Sequence, residues 1–310
     1  MGKILVTGGA GFIASHIVDA LIEQGHDVVV VDDLSGGNKA NINPRAKFYQ
    51  TDIRSLNLEE IFSKENPEIV SHHAARTSVT HSLSAPIDDA EVNILGTLNL
   101  LQNCIKWRVK KIIYASSGGA IYGEPVYLPC DEKHPIAPLS PYGVSKYAVE
   151  LYLNSYLNNY GLNYTILRYA NVYGPRQIST GEAAVIAKFS HQMLKGLDVT
   201  IRGSGDQERD FIHVKDVVQA NILAMEQPES RAYNLGTGKS VSINHIFLLL
   251  KSLTGYNKEP LYVADTKGEI IKTSLTAAKA KQELGWVPKM NLEKGLKITL
   301  DYYKHILKGN

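Results

Sequence analysis

Cysteine is nearly missing from this chain: Cys104 and Cys130 are the only two in 310 residues, and neither lies in a Cys-x-x-Cys pair. That excludes a disulfide scaffold and a cysteine-built zinc site, and it fits a reducing compartment. An excess of one charge is missing too. The formal net charge is +2, from 33 Lys and Arg against 31 Asp and Glu. With the basic residues scattered, there is no footprint for nucleic acid or an anionic membrane surface. No apolar run reaches the ~20 residues that span a bilayer. The first apolar run starts at Lys3, close behind Met1, which leaves no room for a secretory leader. The expectation is a cytoplasmic protein with small-molecule partners. A metal site is not expected: His72 and His73 are adjacent on a predicted strand, so they point to opposite faces, and no carboxylate follows at ligand spacing.

What the chain has in quantity is alternation. Hydrophobic residues make up 44% and charged residues 21%, which suits a globular chain folded throughout. Short apolar runs at Lys3 to Val6, Asp27 to Val31, Ala46 to Tyr49, Glu68 to His72, Val109 to Ala115 and Asn163 to Leu167 read as doubly buried strands. Helical spacing of apolar residues fills Phe12 to Glu23, Asn93 to Trp107 and Pro141 to Tyr160. Strand and helix in turn predict an α/β fold, a Rossmann doubly wound parallel sheet of six strands over residues 1–168. From Tyr169 the elements shorten and glycine-rich loops multiply. Residues 169–310 are therefore expected to form a smaller C-terminal mixed α/β domain for the substrate, with some interleaving of the chain.

The first strand runs into Thr7-Gly8-Gly9-Ala10-Gly11-Phe12-Ile13-Ala14 and then a helix. Gly8 and Gly11 permit a tight turn and let backbone N–H groups approach a pyrophosphate at the positive helix end, while Ala14 is small enough for close helix-strand contact. Asp32 ends the second strand, where a carboxylate meets adenosine ribose hydroxyls. The same carboxylate repels a 2′-phosphate, and Asp33, Leu34 and Ser35 supply no arginine to bind one. The cofactor read from these residues is NAD.

Tyr142-Gly143-Val144-Ser145-Lys146 opens a helix just after Pro141. Tyrosine and lysine four apart share a face. A phenol of ordinary pKa ~10 is a poor base at neutral pH unless positive charge stabilises the phenolate. Lys146 and a nicotinium ring would provide that charge, and Tyr142 could then exchange a proton with a substrate hydroxyl during carbonyl-alcohol redox chemistry. On its own this spacing is common on solvated surfaces, and the dinucleotide fingerprint upstream is what gives it meaning. Between the two motifs, Ser116-Ser117-Gly118-Gly119-Ala120-Ile121-Tyr122-Gly123 follows the fifth strand at the carboxyl edge, where open α/β sheets bind ligands. A serine hydroxyl there could share the substrate's proton.

These motifs, in this order, resemble the extended short-chain dehydrogenases/reductases and, within them, the UDP-glucose (UDP-galactose) 4-epimerase family. The likeness also takes in Asp52-Ile53, Ala74-Ala75-Arg76, Asn93 within Asn93-Ile94-Leu95-Gly96-Thr97, Arg168 through Arg176, and Arg209 through Asp216. It implies a tightly kept NAD and a UDP-sugar substrate oxidised and re-reduced at C4 through a 4-keto intermediate. The implied catalytic residues are Tyr142 as acid/base, Lys146 and Ser117. Cofactor contacts are implied at Gly8, Gly11, Phe12, Ile13, Asp32, Asp33, Leu34, Ser35, Gly37, Asp52, Ile53, Ala74, Ala75, Arg76, Asn93, Ser116, Tyr142, Lys146 and Tyr169. Substrate contacts are implied at Ser117, Gly118, Tyr142, Asn171, Arg209 and Lys267. The family's homodimers pair two helices, here Asn93 to Trp107 and Pro141 to Tyr160.

Several positions depart from the pattern. Gly118 stands where many epimerases carry the catalytic serine or threonine, which moves the expected hydroxyl to Ser117. Arg76 replaces a glutamine or lysine, Arg202 an aromatic residue, and Thr266-Lys267-Gly268-Glu269 a stretch with an arginine. Gly119 and Ala120 offer no carboxylate of the kind that dehydratases and decarboxylases of this superfamily carry, so elimination is disfavoured. Two other readings stand beside a UDP-hexose: UDP-glucuronate or a UDP-N-acetylhexosamine as substrate, with Arg76 and Arg202 as extra charges, and a non-catalytic NAD sensor.

Overall fold

Each apolar run becomes a strand because burial on both faces rewards a continuous Val, Ile and Leu sequence. A computed structural model describes residues 2–179, 184–264 and 270–309. In chain order the first half holds β1 (Lys3–Thr7), α1 (Phe12–Glu23), β2 (Asp27–Asp32), β3 (Lys47–Gln50), α2 (Asn57–Glu65) and β4 (Ile69–His72). There follow α3 (Val79–Ser84), α4 (Pro86–Ala90), a π-helical turn (Glu91–Gly96), α5 (Thr97–Lys106), β5 (Lys111–Ser117), α6 (Gly118–Ile121), α7 (Pro141–Tyr160) and β6 (Asn163–Tyr169). The second half adds β7 (Asn171–Tyr173), α8 (Val185–Leu194), β8 (Thr200–Arg202), β9 (Glu208–Arg209), β10 (Phe211–His213), α9 (Val214–Glu226) and β11 (Arg231–Leu235). The chain closes with β12 (Val241–Ser242), α10 (Ile243–Thr254), β13 (Leu261–Val263), α11 (Ala278–Leu284) and α12 (Leu292–Gly309).

Among the described residues the main sheet has seven strands in the order β11-β6-β5-β4-β1-β2-β3, and every pairing is parallel. The order reverses between β4 and β1, and that switch point opens the crevice where such sheets take ligands. Neighbouring residues of β1 feed opposite cores. Leu5 packs with Phe62, Leu100 and Leu153 on the α2, α5 and α7 side, and Ile4 and Val6 pack with Ile17, Val18 and Leu21 of α1 on the other. A second core, with Phe189, Ile246, Phe247, Leu250, Leu296 and Leu300, joins α8, α10 and α12. Among the described residues no helix is long and apolar enough to cross a membrane.

Two features differ from the sequence reading. The sheet has a seventh strand, β11, whose Arg231 to Leu235 lie in register with Thr165 to Tyr169 of β6. Tyr233 and Leu235 are buried there with Val217 and Ala220 of α9, so the chain between Val214 and Leu235 returns to the sheet. The helix expected over Asn93 to Trp107 starts earlier, at Glu91, as a π-helical turn. Within it the Asn93 carbonyl accepts from Thr97 Oγ1 at 2.7 Å, and the Asn93 side chain donates to Asp89 one turn back and to Arg76 O and Ser145 outside the helix.

Candidate active site

At the switch point β1 turns sharply into α1. Gly8 has φ +69°, and a Cβ there would lie 2.8 Å from the Ala74 backbone nitrogen. Only glycine allows the loop after β4 to pass so close. Gly11 caps α1 with no side-chain hydrogen bond, and no acid lies in the first turn, which begins with Phe12 and Ile13. The positive end of the helix is therefore left to an anion. Beside it Asp32 is buried, its Oδ2 accepting from Ala10 N at 3.0 Å and its Oδ1 from Leu34 N at 2.8 Å. Burial raises the Asp32 carboxyl above its usual range, opposed by those two N–H groups. Leu34 sits at φ +63°, left-handed for a leucine, with its N–H held by that carboxylate. Gly37 lies against Ala10, where a Cβ would come within 2.8 Å of the Ala10 side chain. A cradle closed to side chains, an uncapped helix start and an oriented carboxylate fit a dinucleotide.

Other expected cofactor residues are built into the walls. Asp52 is gripped by Arg54, with Nη2 at 2.7 Å, and that bond holds the carboxyl below its usual value. Ile53 is buried against Gly96. Asn93 accepts from Arg76 N at 2.8 Å and donates to Arg76 O, Asp89 and Ser145, tying the Ala74-Ala75-Arg76 loop to α7. Tyr169 is buried with its hydroxyl on Asn221 and His73. His72 is buried between Thr7 and Thr97.

Ser140 caps α7 by accepting from Gly143 N, and Pro141 takes the first turn. Tyr142 and Lys146 then fall one turn apart on the sheet side. Lys146 is buried, donates from Nζ to Ala115 O at 2.9 Å, and lies 5.9 Å from the Tyr142 ring centroid. Burial lowers its ammonium to about 8, against the pull of Asp89 and Glu150. Burial raises the Tyr142 phenol to about 12, and a hydrogen bond with the Ser117 side chain works the other way. The protein alone thus holds a neutral phenol, and a further positive charge beside it is needed to make it a base.

The two serines divide because strand neighbours face opposite sides. Ser117 meets Tyr142, whereas the buried Ser116 donates to Glu150 Oε1 at 2.5 Å. At Gly118 a Cβ would lie 2.4 Å from Leu275 Cδ1, so a side chain at that expected substrate contact would have to displace the buried Leu275. Among the described residues a Cβ at Gly119 would touch only Asn171 Oδ1, at 3.9 Å, which brings Asn171 to the same loop. Arg209 donates to the carbonyls of Glu208 and Ile271 at 2.9 and 3.5 Å. Lys267 lies outside the described residues.

Glu150 belongs to none of the sequence motifs. It lies one turn beyond Lys146 and pairs with Arg168 at 2.6 Å, both buried. Arg168 also donates to Tyr122, which donates to Asn234 of β11. The signal was there to read, as an acid at i+4 from the lysine and an arginine inside an apolar strand.

The model of the NAD dependent epimerase/dehydratase family matches residues 4–236. The crystal structure of UDP-glucose 4-epimerase from Thermotoga maritima with UDP-glucose is similar, with a TM-score of 0.97 and 51% identity, covering 98% of this chain and 99% of that one. UDP-glucose 4-epimerase of Thermus thermophilus in complex with NAD gives 0.93 at 40% identity, over 97% and 99%. A UDP-glucose 4-epimerase of Mycolicibacterium smegmatis is 37% identical over 309 residues, 98% of this chain and 99% of that protein.

Proposed function

The chain belongs to the NAD dependent epimerase/dehydratase family, and from that premise we propose that it is an NAD-dependent isomerase that inverts C4 of a UDP-hexose, interconverting UDP-glucose and UDP-galactose. When bound, NAD supplies the acceptor and then the donor of the C4 hydrogen with its electron pair. Tyr142 takes the proton from the sugar 4-hydroxyl and later returns it, with the Ser117 hydroxyl sharing that proton and Lys146 favouring the phenolate. Gly8, Gly11, Phe12, Ile13 and Asp32 hold the dinucleotide; Asn171 and Arg209 hold the nucleotide half of the substrate, with Lys267 as a further cation. A flat 4-keto ring that turns in the site would let hydrogen return to its other face.

The observation that carries this reading is the buried Lys146 ammonium held on Ala115 O of β5, 5.9 Å from the Tyr142 ring centroid and at the strand end that bears Ser117, with no carboxylate between Gly118 and Gly123. Arg76, which favoured a carboxylate-bearing sugar, is engaged with Ser35 and Asp88 instead. Incubating the purified protein separately with UDP-galactose and UDP-glucuronate and resolving the products tests the assignment. UDP-glucose should form from the first, and inertness toward both defeats the proposal.

In the division we infer, residues 1–168 with α9 and β11 hold NAD and the rest of 169–310 holds the sugar nucleotide. A cytoplasmic homodimer is part of the same reading. Its support is the run of exposed apolar side chains at Leu95, Val144, Leu151 and Tyr152 on the π-turn and α7. Light scattering giving twice the chain mass would bear it out, and a monomer at micromolar concentration would oppose it.

A further inference from the structure

Arg76 joins two loops that are far apart in sequence. Its Nη1 donates to Ser35 Oγ at 2.9 Å, across 41 residues, and its Nε donates to Asp88 Oδ2 at 3.2 Å. Both ends are anchored. The Ser35 hydroxyl donates to Asp33 at 2.6 Å, His81 lies 2.9 Å from the same Asp88 oxygen, and Asn93 holds the Arg76 backbone from both sides. A half-exposed ion pair of this kind adds little to folding stability. Its position is what matters.

The two loops flank the start of α1. On one side the loop after β2 lies on Ala10, where Asn38 N donates to Ala10 O at 3.0 Å. On the other, the loop after β4 presses on Gly8, as its missing Cβ records. The turn from Gly8 to Gly11 runs between them, because β1 lies between β4 and β2. The guanidinium therefore links the two loops that flank the uncapped helix end.

We propose that Arg76 is a clasp across the dinucleotide groove and that its bond to Ser35 sets how slowly bound NAD leaves. The inference rests on the NAD reading above. Opening the groove requires only that one side chain part from one hydroxyl, while the backbone of both loops stays in place. Retention then comes from a surface contact that can be removed without unfolding the cradle.

The test is the release rate of NAD, read without reference to epimerase turnover. Protein loaded with NAD and freed of excess is mixed with an NAD-consuming alcohol dehydrogenase and ethanol, and NADH fluorescence reports each molecule released. Ser35→Ala, which keeps the cation and alters an exposed residue, should release NAD about tenfold faster, as should Arg76→Met, the scale expected for a hydrogen bond to a charged group. The double variant should be no faster than the faster single one, because both changes break one bond. An unchanged rate in Ser35→Ala, or effects that multiply in the double variant, overturns the clasp. Wild-type protein that takes up no NAD overturns the cofactor reading itself, and that result appears before any variant is made.

Discussion

Arg168 grips Glu150 through both Nε and Nη2, 2.6 Å at the closest, one helical turn beyond Lys146 and directly behind Ser116. The pair fastens α7, which carries Tyr142 and Lys146, to the end of β5, which carries Ser117. Through Tyr122 and Asn234 it reaches β11 as well. The relative placing of phenol, ammonium and hydroxyl is thus fixed from below by a buried ion pair.

Removing one partner leaves the other charge buried and unpaired. Arg168→Met should therefore destabilise the fold by about 3–5 kcal/mol. Replacing both by apolar residues should cost less than the single change. Chemical denaturation of the single and double variants measures it, and equal losses in the two would contradict the ion-pair account.

The serines should separate cleanly. Ser117→Ala is expected to lower kcat by about 10²–10³-fold with little change in melting temperature, the range typical for loss of one proton-transfer group. Ser116→Ala, which loses its bond to Glu150, should lower the melting temperature and leave kcat within a few-fold. Tyr142→Phe should abolish turnover while NAD stays bound. Activity surviving in Tyr142→Phe would remove the tyrosine from its role.

Gly118 and Leu275 are coupled by space alone. The 2.4 Å from a Cβ at position 118 to Leu275 Cδ1 means that Gly118→Ala overpacks a buried contact, at an expected cost of about 1–3 kcal/mol. Gly118→Ala with Leu275→Ala should recover part of that loss, although Leu275→Ala alone destabilises. Additive losses in this double-mutant cycle would show that the two positions do not meet.

Glu65 should set part of the acid limit of stability. Burial alone would raise its carboxyl, but hydrogen bonds from Lys47, Tyr49 and Lys3 outweigh that and take it down to about 2. A carboxyl lowered in the folded state stabilises above its unfolded pKa of ~4.5, and the contribution fades as pH falls toward 2. Wild type should therefore lose stability between pH ~4.5 and 2 more steeply than Glu65→Gln, as followed by urea midpoints across that range. Parallel curves would refute it.

How far the sequence could be read follows from the range of the interactions concerned. The six runs that form β1 to β6 were visible because a doubly buried parallel strand must be apolar along its length, a local requirement. Gly8, Gly11 and Asp32 were visible because a tight strand-to-helix turn and a ribose-facing acid need those residue types at that spacing. The pairing of Tyr142 with Lys146 followed from the pitch of a helix. β11 was not visible, since Arg231-Ala232-Tyr233-Asn234-Leu235 is short and half polar, and it becomes a strand only by bonding to β6.

The amino-acid sequence by itself therefore determined the doubly wound fold, the dinucleotide turn and the residue types of the site, because each depends on periodicity or on backbone freedom within a few positions. Only the tertiary structure decided which serine meets the phenol, that Leu275 closes the space at Gly118, that Glu150 and Arg168 brace the site, and that Arg76 reaches Ser35. Those outcomes depend on distances between segments far apart along the chain, which no local pattern encodes.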